Sequence, residues 1–175
     1  MLGLPRGSVV LTTHQCSWKQ LYLQEAQHIQ MALGDAALQV EHIGSTAIPG
    51  ILAKPIIDLM VGIASLSTAD TLLTHLERIG YEHRTQDTVS GRLMLAKGPP
   101  HQRTYYLSLA EVESRFWREK LLFRDYLRRH PETAKAYEHL KQELAQQYHD
   151  DRSSYTAGKS TFVAQILQSA QANLD

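Results

Sequence analysis

A chain of 175 residues suits one domain, and an apolar fraction of 43% is enough to build its core. Lys plus Arg and Asp plus Glu balance at 18 each, which argues against a strong non-specific nucleic-acid binder and leaves room only for a local basic patch. The single Cys16 excludes an intramolecular disulfide, no window approaches a membrane span, and Met1 to Leu11 lacks the apolar core of a signal peptide, so a soluble cytoplasmic protein is expected.

Taken in chain order, a first helix is predicted to start after Ser17. Ser17 and Gln20 have capping-box spacing, and Trp18, Leu21, Tyr22, Ile29 and Leu33 fall on one side. Gly34 ends it. Ala37 to Ile43 reads as a short strand. In Ile56 to Ile63, the residues Ile57, Leu59, Val61 and Ile63 alternate onto a core face, with Asp58, Met60 and Gly62 on the other. Ser67 opens a second helix, buried through Leu72, Leu73, Leu76 and Ile79 and closed by Gly80. Tyr81 to Arg84, Arg92 to Lys97 and Arg103 to Leu109 read as strands, the last two joined through Gly98-Pro99-Pro100 as a hairpin.

From about residue 112 onward the pattern is helical. Phe116, Phe123 and Leu127 share a face, Pro131 fits a helix first turn, and Tyr137, Leu140, Leu144 and Tyr148 follow at helical spacing. Asp150-Asp151 breaks the run and caps a last helix carrying Tyr155, Phe162 and Ile166. The expected fold is α+β, a mixed sheet flanked by helices. One domain is expected over 1–175, with an α/β core at about 7–110 and C-terminal helices at about 112–175 packed on it.

Three polar sets carry the functional reading. In the first, a strand ends in Gly44-Ser45, and twelve residues separate Ser45 from Asp58 on the next strand, with Lys54 between. Turn amides and a serine hydroxyl bind phosphate, and a strand carboxylate can ligate a metal beside it. The plainer alternative is a tight turn and a strand Asp that satisfies a loop. The second set, Arg92, Lys97 and Arg103 with Lys54, can meet a polyphosphate or form a solvated strand face. The third, Arg124-Asp125 with Asp151, Arg152, Tyr155 and Lys159, is read as an ion-pair network. The nine histidines show no zinc-type pairing.

The stretch His42-Ile43-Gly44-Ser45-Thr46-Ala47-Ile48-Pro49-Gly50 with Lys54-Pro55-Ile56-Ile57-Asp58 resembles the signature of the GrpB family. So do Leu122 to Pro131 and Asp151-Arg152-Ser153-Ser154-Tyr155 with Lys159 and Phe162. The resemblance runs from about Val10 to Leu167 and implies a nucleotidyltransferase-like fold. In that superfamily a Gly-Ser turn precedes a strand with Asp-x-Asp, the turn holds nucleotide phosphates, two carboxylates bind metals, and a third comes from a later strand. Two departures stand out here. Met60 replaces the second carboxylate, and Tyr105-Tyr106-Leu107-Ser108 stands where GrpB relatives often have His-His-Leu-His. Glu82, Asp87 and Glu111 are candidates for the third carboxylate.

Two functions follow as expectations. One is a transferase moving a nucleotidyl or phosphoryl group. Magnesium is its candidate cofactor, with Asp58 as catalytic residue and metal ligand, and Gly44, Ser45, Lys54, Arg92 and Arg103 on the phosphates. His42, Arg124, Asp125, Tyr155 and Lys159 would stand behind them. The other is a nucleotide- or phosphate-binding module without turnover, which Met60 favours. In both, the partner is a nucleotide or phosphorylated small molecule, with no membrane and no nucleic acid.

Overall fold

The structure, a computed structural model, describes residues 2–87 and 89–172. Residues 1, 88 and 173–175 of the expected span lie outside the described residues.

Helix α1 runs Ser17–Leu33, with Cys16 at its N-cap and no side-chain cap. The expected Ser17/Gln20 capping box is therefore not formed, because Ser17 already belongs to the first turn. Trp18, Ile29 and Leu33 are buried from this helix. Gly34 leaves it at a positive φ of 57°. Strand β1 (Gln39–Ile43) begins two residues later than expected and is followed by β2 (Ile57–Ile63). Ser65, not Ser67, then caps a short 3-10 turn at Leu66–Thr68 by accepting from the Ser67 N–H, and α2 follows at Ala69–Arg78. Strands β3 (Tyr81–His83), β4 (Leu93–Lys97) and β5 (Tyr105–Glu111) complete a five-stranded sheet of order β1-β2-β5-β4-β3. The β2/β5 pair is parallel and the other pairs are antiparallel, with β4 and β5 forming the expected hairpin.

The strand phase of β2 is as the alternation predicts. Ile57, Leu59, Val61 and Ile63 join the main core with Trp18, Ile29 and Leu76 from α1 and α2. The opposite face is also covered. Met60 is fully buried with Ile43 and Trp117, and Gly62 faces Val112 and Trp117. Trp117 belongs to α3 (Arg115–Arg129), whose Ser114 cap accepts from the Trp117 N–H. Helix α4 (Pro131–Gln147) starts with proline in its first turn, as expected. Asp151 caps α5 (Arg152–Ala157), accepting from the Ser154 amide and hydroxyl. The single last helix expected there is split. A second segment, α6 (Ser160–Ala172), starts after Gly158-Lys159. At Gly158 an added Cβ would fall 2.5 Å from Leu144, so α4 and this junction touch closely. The split places Lys159 at a bend rather than on a continuous helix face. No helix among the described residues is long and apolar enough to cross a membrane.

Gly62 reports the fit of α3 on the sheet. A Cβ there would meet Val112 at 2.5 Å and the Trp117 ring at 2.9 Å. Gly62→Ala is expected to lower unfolding free energy by about 1–3 kcal/mol through overpacking, measured by denaturant melts.

Candidate functional site

Because β1 runs antiparallel to β2, Ile43 lies opposite Asp58, and the chain turns at Gly44 beside the carboxylate. Gly44 has φ +70°, and a Cβ on it would fall 2.4 Å from Asp58 Oδ2. Both facts demand glycine at this position.

The turn Ser45–Ala47 is held from three sides. His42 Nε2 and Thr46 Oγ1 are 2.9 Å apart, and the His42 ring stacks on Tyr22 at 4.8 Å. Arg128 donates to Ala47 O at 2.8 Å. Arg124 donates to Glu41 at 2.6 Å and to His42 O at 3.0 Å, and it grips Asp125 through Nε and Nη2. Burial, with Arg128 and Arg124 nearby, pushes His42 down to about 3. It is a neutral strut for the turn rather than a proton carrier.

The Lys54 loop is fastened to α4. The Leu52 N–H donates to the Glu138 carboxylate, Lys141 Nζ donates to Leu52 O, and Lys135 Nζ donates to Gly50 O at 3.2 Å. A pocket of about 190 Å³ opens between these parts. It is lined by Gly44, Ser45 and Thr46, by Lys54, Asp58 and Tyr106, and by Tyr137, Arg152, Tyr155, Thr156 and Lys159. It shares Gly44, Asp58, Tyr106, Tyr137, Arg152, Thr156 and Lys159 with a larger groove of about 740 Å³. The rest of that groove's lining includes Phe116, Phe123, Lys120, Arg92, Val163 and Leu167, with one further acid, Glu119, beside Arg115.

The electrostatics of the pocket are lopsided. Burial raises the Asp58 carboxyl above the usual carboxylate range, while Lys54, Arg152, Lys159 and Lys120 pull it down. Burial lowers Lys54 to about 8, with Arg152 adding to the effect. Burial, then the Lys54 charge, lowers Lys159 to about 7. Among the described residues neither amine has a hydrogen-bond acceptor or an ion-pair partner. Both stand over the Tyr155 ring, with Nζ at 5.4 Å for Lys54 and 4.2 Å for Lys159. Arg152 donates to the Tyr106 hydroxyl at 3.0 Å and lies over that ring. Burial pushes the Tyr137 phenol up to about 12, opposed by the Ser45 hydroxyl beside it.

Gly44, Ser45, Lys54, Asp58, Tyr155 and Lys159 thus converge on one pocket. His42, Arg124 and Asp125 stand behind the turn. Arg92 reaches only the larger groove, and Asp87 holds it through two bonds of 2.9 Å. Arg103 is not brought to the site. It is buried on Glu82 (2.6 Å) and Gly98 O (2.6 Å), and its backbone bridges Leu4. Lys97 faces the other side of the sheet, on Glu25 at 2.8 Å. The expected ion-pair network around Asp151 is not formed, since Asp151 is an exposed helix cap and Lys159 meets an aromatic ring. Lys120 and Arg152 carry more of the charge than their sequence context indicates. Lys120 is legible only as a lysine three residues after Trp117 on the sheet-facing side of α3.

A magnesium ion held by the protein does not fit this donor set. Met60 is packed under Trp117, and Ser108 lies across from it on β5. The three candidate third carboxylates are engaged elsewhere: Glu82 with Arg84 and Arg103, Asp87 with Arg92, and Glu111 with Ser65 and the Leu66 N–H. Among the described residues no three His, Cys, Asp or Glu side chains gather as a metal site. A cation approaching Asp58 would also meet the charges of Lys54, Arg152 and Lys159.

The architecture is of the nucleotidyltransferase type. It overlays the Cid1 poly(U) polymerase, solved with MgGTP bound, with a TM-score of 0.52 at 14% identity, over 83% of this chain and 50% of that one. This likeness is one of fold. The chain belongs to the GrpB family, whose model, described as GrpB protein, matches residues 8–169. It is 38% identical over 171 residues to the glutamate-rich protein GrpB of Alkalihalophilus pseudofirmus, covering 95% of this chain and 98% of that protein. The crystal structure of the conserved protein GrpB from Enterococcus faecalis matches with a TM-score of 0.85 and 36% identity, over 94% of this chain and 99% of that one. The chain spans 65% of the length of a Pseudomonas aeruginosa relative and 48% of a Bacillus subtilis one.

Met60 separates a packing residue from a lost ligand. Met60→Asp places an unpaired charge at a fully buried position. It is expected to cost about 3–5 kcal/mol in urea melts without creating a magnesium-dependent gain in stability.

Proposed function

We propose that the Gly44–Asp58 pocket binds the phosphate groups of a nucleotide or a phosphorylated small molecule in the cytoplasm, and that it does so as a binding module without a protein-ligated metal. One observation carries this reading: Lys54, Lys120, Arg152 and Lys159 all act on a single carboxylate, Asp58. Positive groups brought together without matching acids repel one another and lose hydration, and a multivalent anion relieves both costs. The rigid Gly44-Ser45 turn supplies a small neutral wall to the pocket. The aromatic side chains of the wider groove give room for the organic part of the ligand.

A transferase is the second reading, favoured by the retained approach of Gly44 to Asp58. Asp58→Asn separates the two. Without a metal, removing the one opposing charge tightens pyrophosphate binding. In a metal-dependent transferase it abolishes pyrophosphate release from a nucleoside triphosphate.

Inorganic pyrophosphate in EDTA is expected to raise the melting point, with about 2.7 kcal/mol of stabilisation at a hundred times its Kd. Arg152→Ala and Lys54→Ala are each expected to weaken binding roughly 10- to 100-fold by calorimetry. Absence of any shift with pyrophosphate or nucleoside triphosphate at millimolar concentration would sink the proposal.

The pH dependence has a defined sign. Lys159 at about 7 and Lys54 at about 8 are charged at pH 6 and lose their protons toward pH 9. Anion affinity is therefore expected to fall across pH 7–9, with proton uptake on binding. Lys54→Arg with Lys159→Arg should flatten the profile, because guanidinium does not titrate there. Without ligand the fold should gain stability from about pH 7 toward 10.5, since the unfolded lysines hold protons that the folded ones have released. A thermal-melt series across this range, in wild type and the double variant, checks that slope.

A further inference from the structure

Lys159 is one of the two pocket lysines without a hydrogen-bond acceptor among the described residues. It sits at the bend between α5 and α6, and it lines both the small pocket and the larger groove. With Gly44, Asp58, Tyr106, Tyr137, Arg152 and Thr156 it borders both, so a ligand with its phosphate in the small pocket and its body in the groove lies near the Lys159 amine. Among the described residues that amine has no carboxylate partner and no hydrogen-bond acceptor. It lies 4.2 Å from the centre of the Tyr155 ring, which the Lys54 amine also approaches at 5.4 Å, so two amines share one ring.

We propose that Lys159 Nζ is a nucleophilic amine that forms an imine with a phosphorylated carbonyl compound held in this pocket. The inference rests on the phosphate-binding reading and adds to it a covalent step and a ligand class. An amine acts as a nucleophile only in its neutral form, and burial beside another cation is what makes a lysine neutral near pH 7. The charged and titratable groups acting on Lys159 come from every side: Lys54 before β2, Asp58 on β2, Lys120 on α3 and Lys141 on α4. Tyr155 contributes from α5. Three of these are cations, Asp58 is the one acid, and the amine is held near neutrality at about 7.

The step balances without an added reagent. The Nζ lone pair attacks the carbonyl carbon and the carbonyl π bond breaks onto oxygen. A proton moves from nitrogen to that oxygen, giving a carbinolamine. Loss of the hydroxyl group with the remaining amine proton, as water, leaves the carbon–nitrogen double bond. Lys54 and Arg152 are placed to hold the phosphate while the carbonyl faces Lys159.

Pyridoxal 5′-phosphate is a suitable probe, with pyridoxal as its phosphate-free control. The full chain is incubated with each, reduced with borohydride and mapped by peptide mass spectrometry. The expected result is a pyridoxyl group on Lys159, formed at least ten times faster from the phosphorylated aldehyde and suppressed by pyrophosphate. Its rate should rise with pH through an apparent value near 7. Lys159→Arg should remove the adduct, and mapping of the wild-type chain stands if that variant fails to fold. Modification centred on Lys54 or Lys120, or spread over exposed lysines such as Lys19, would overturn the inference. So would a Lys159 adduct that pyrophosphate does not slow. Calorimetry with pyrophosphate on the same wild-type preparation separates the two layers. Binding without an adduct defeats the covalent step alone, and no binding defeats the phosphate reading beneath it.

Discussion

Asp58 sits where the backbone of Gly44 leaves room for it. With any side chain at position 44 the carboxylate would have to move, because a Cβ there lies 2.4 Å from Oδ2. The antiparallel β1/β2 register puts the two together, and the C-terminal helices then close over them. Burial raises the energy of the ionised carboxylate, so it must be offset by nearby cations. Lys54, Arg152 and Lys159 offset part of that cost, so the carboxyl stays above its ordinary value, and in number the bases exceed the acid. The excess positive charge of the pocket is thus a consequence of holding one acid under a helical layer with several bases.

The arrangement is kept in place by contacts that never touch the pocket. Arg124 and Arg128 of α3 bind the carbonyls of His42 and Ala47. Glu138 and Lys141 of α4 clasp the N–H and carbonyl of Leu52, two residues before Lys54. Each helix therefore fixes one backbone segment of the pocket, and each uses charged groups that would be costly to bury without those backbone partners. Lys141 is lowered to about 7 by burial, so its grip on Leu52 is itself sensitive to pH in the neutral range.

Much of this fold was legible from local pattern. The alternation Ile57, Leu59, Val61, Ile63 located the core face of β2, and Pro131 and Asp151 marked helix starts. Other features depend on contacts distant in sequence. Alternation shows that Asp58, Met60 and Gly62 share a face, but it cannot tell solvent from a second layer, and Trp117 supplies that layer. Arg103 looked equivalent to Arg92 because each opens a predicted strand. A bridge to Leu4 and an ion pair with Glu82 take it elsewhere. Lys120 enters the groove and Arg152 the pocket only once α3 and α5 dock; Arg152 stood out in the sequence as part of a motif, and Lys120 did not.

The departure at Met60 changes what the pocket can do more than what it is. A sulfur-containing apolar side chain under Trp117 strengthens the junction between sheet and α3 and leaves Asp58 as the one acid lining the small pocket. The remaining acid is outnumbered, so the field inside the pocket favours anions over divalent cations. Burial, and after it the neighbouring positive charges, lowers the basicity of Lys54 and Lys159. With one acid among several bases, the pocket holds a positive field beside Asp58 whose strength depends on how far Lys54 and Lys159 are protonated.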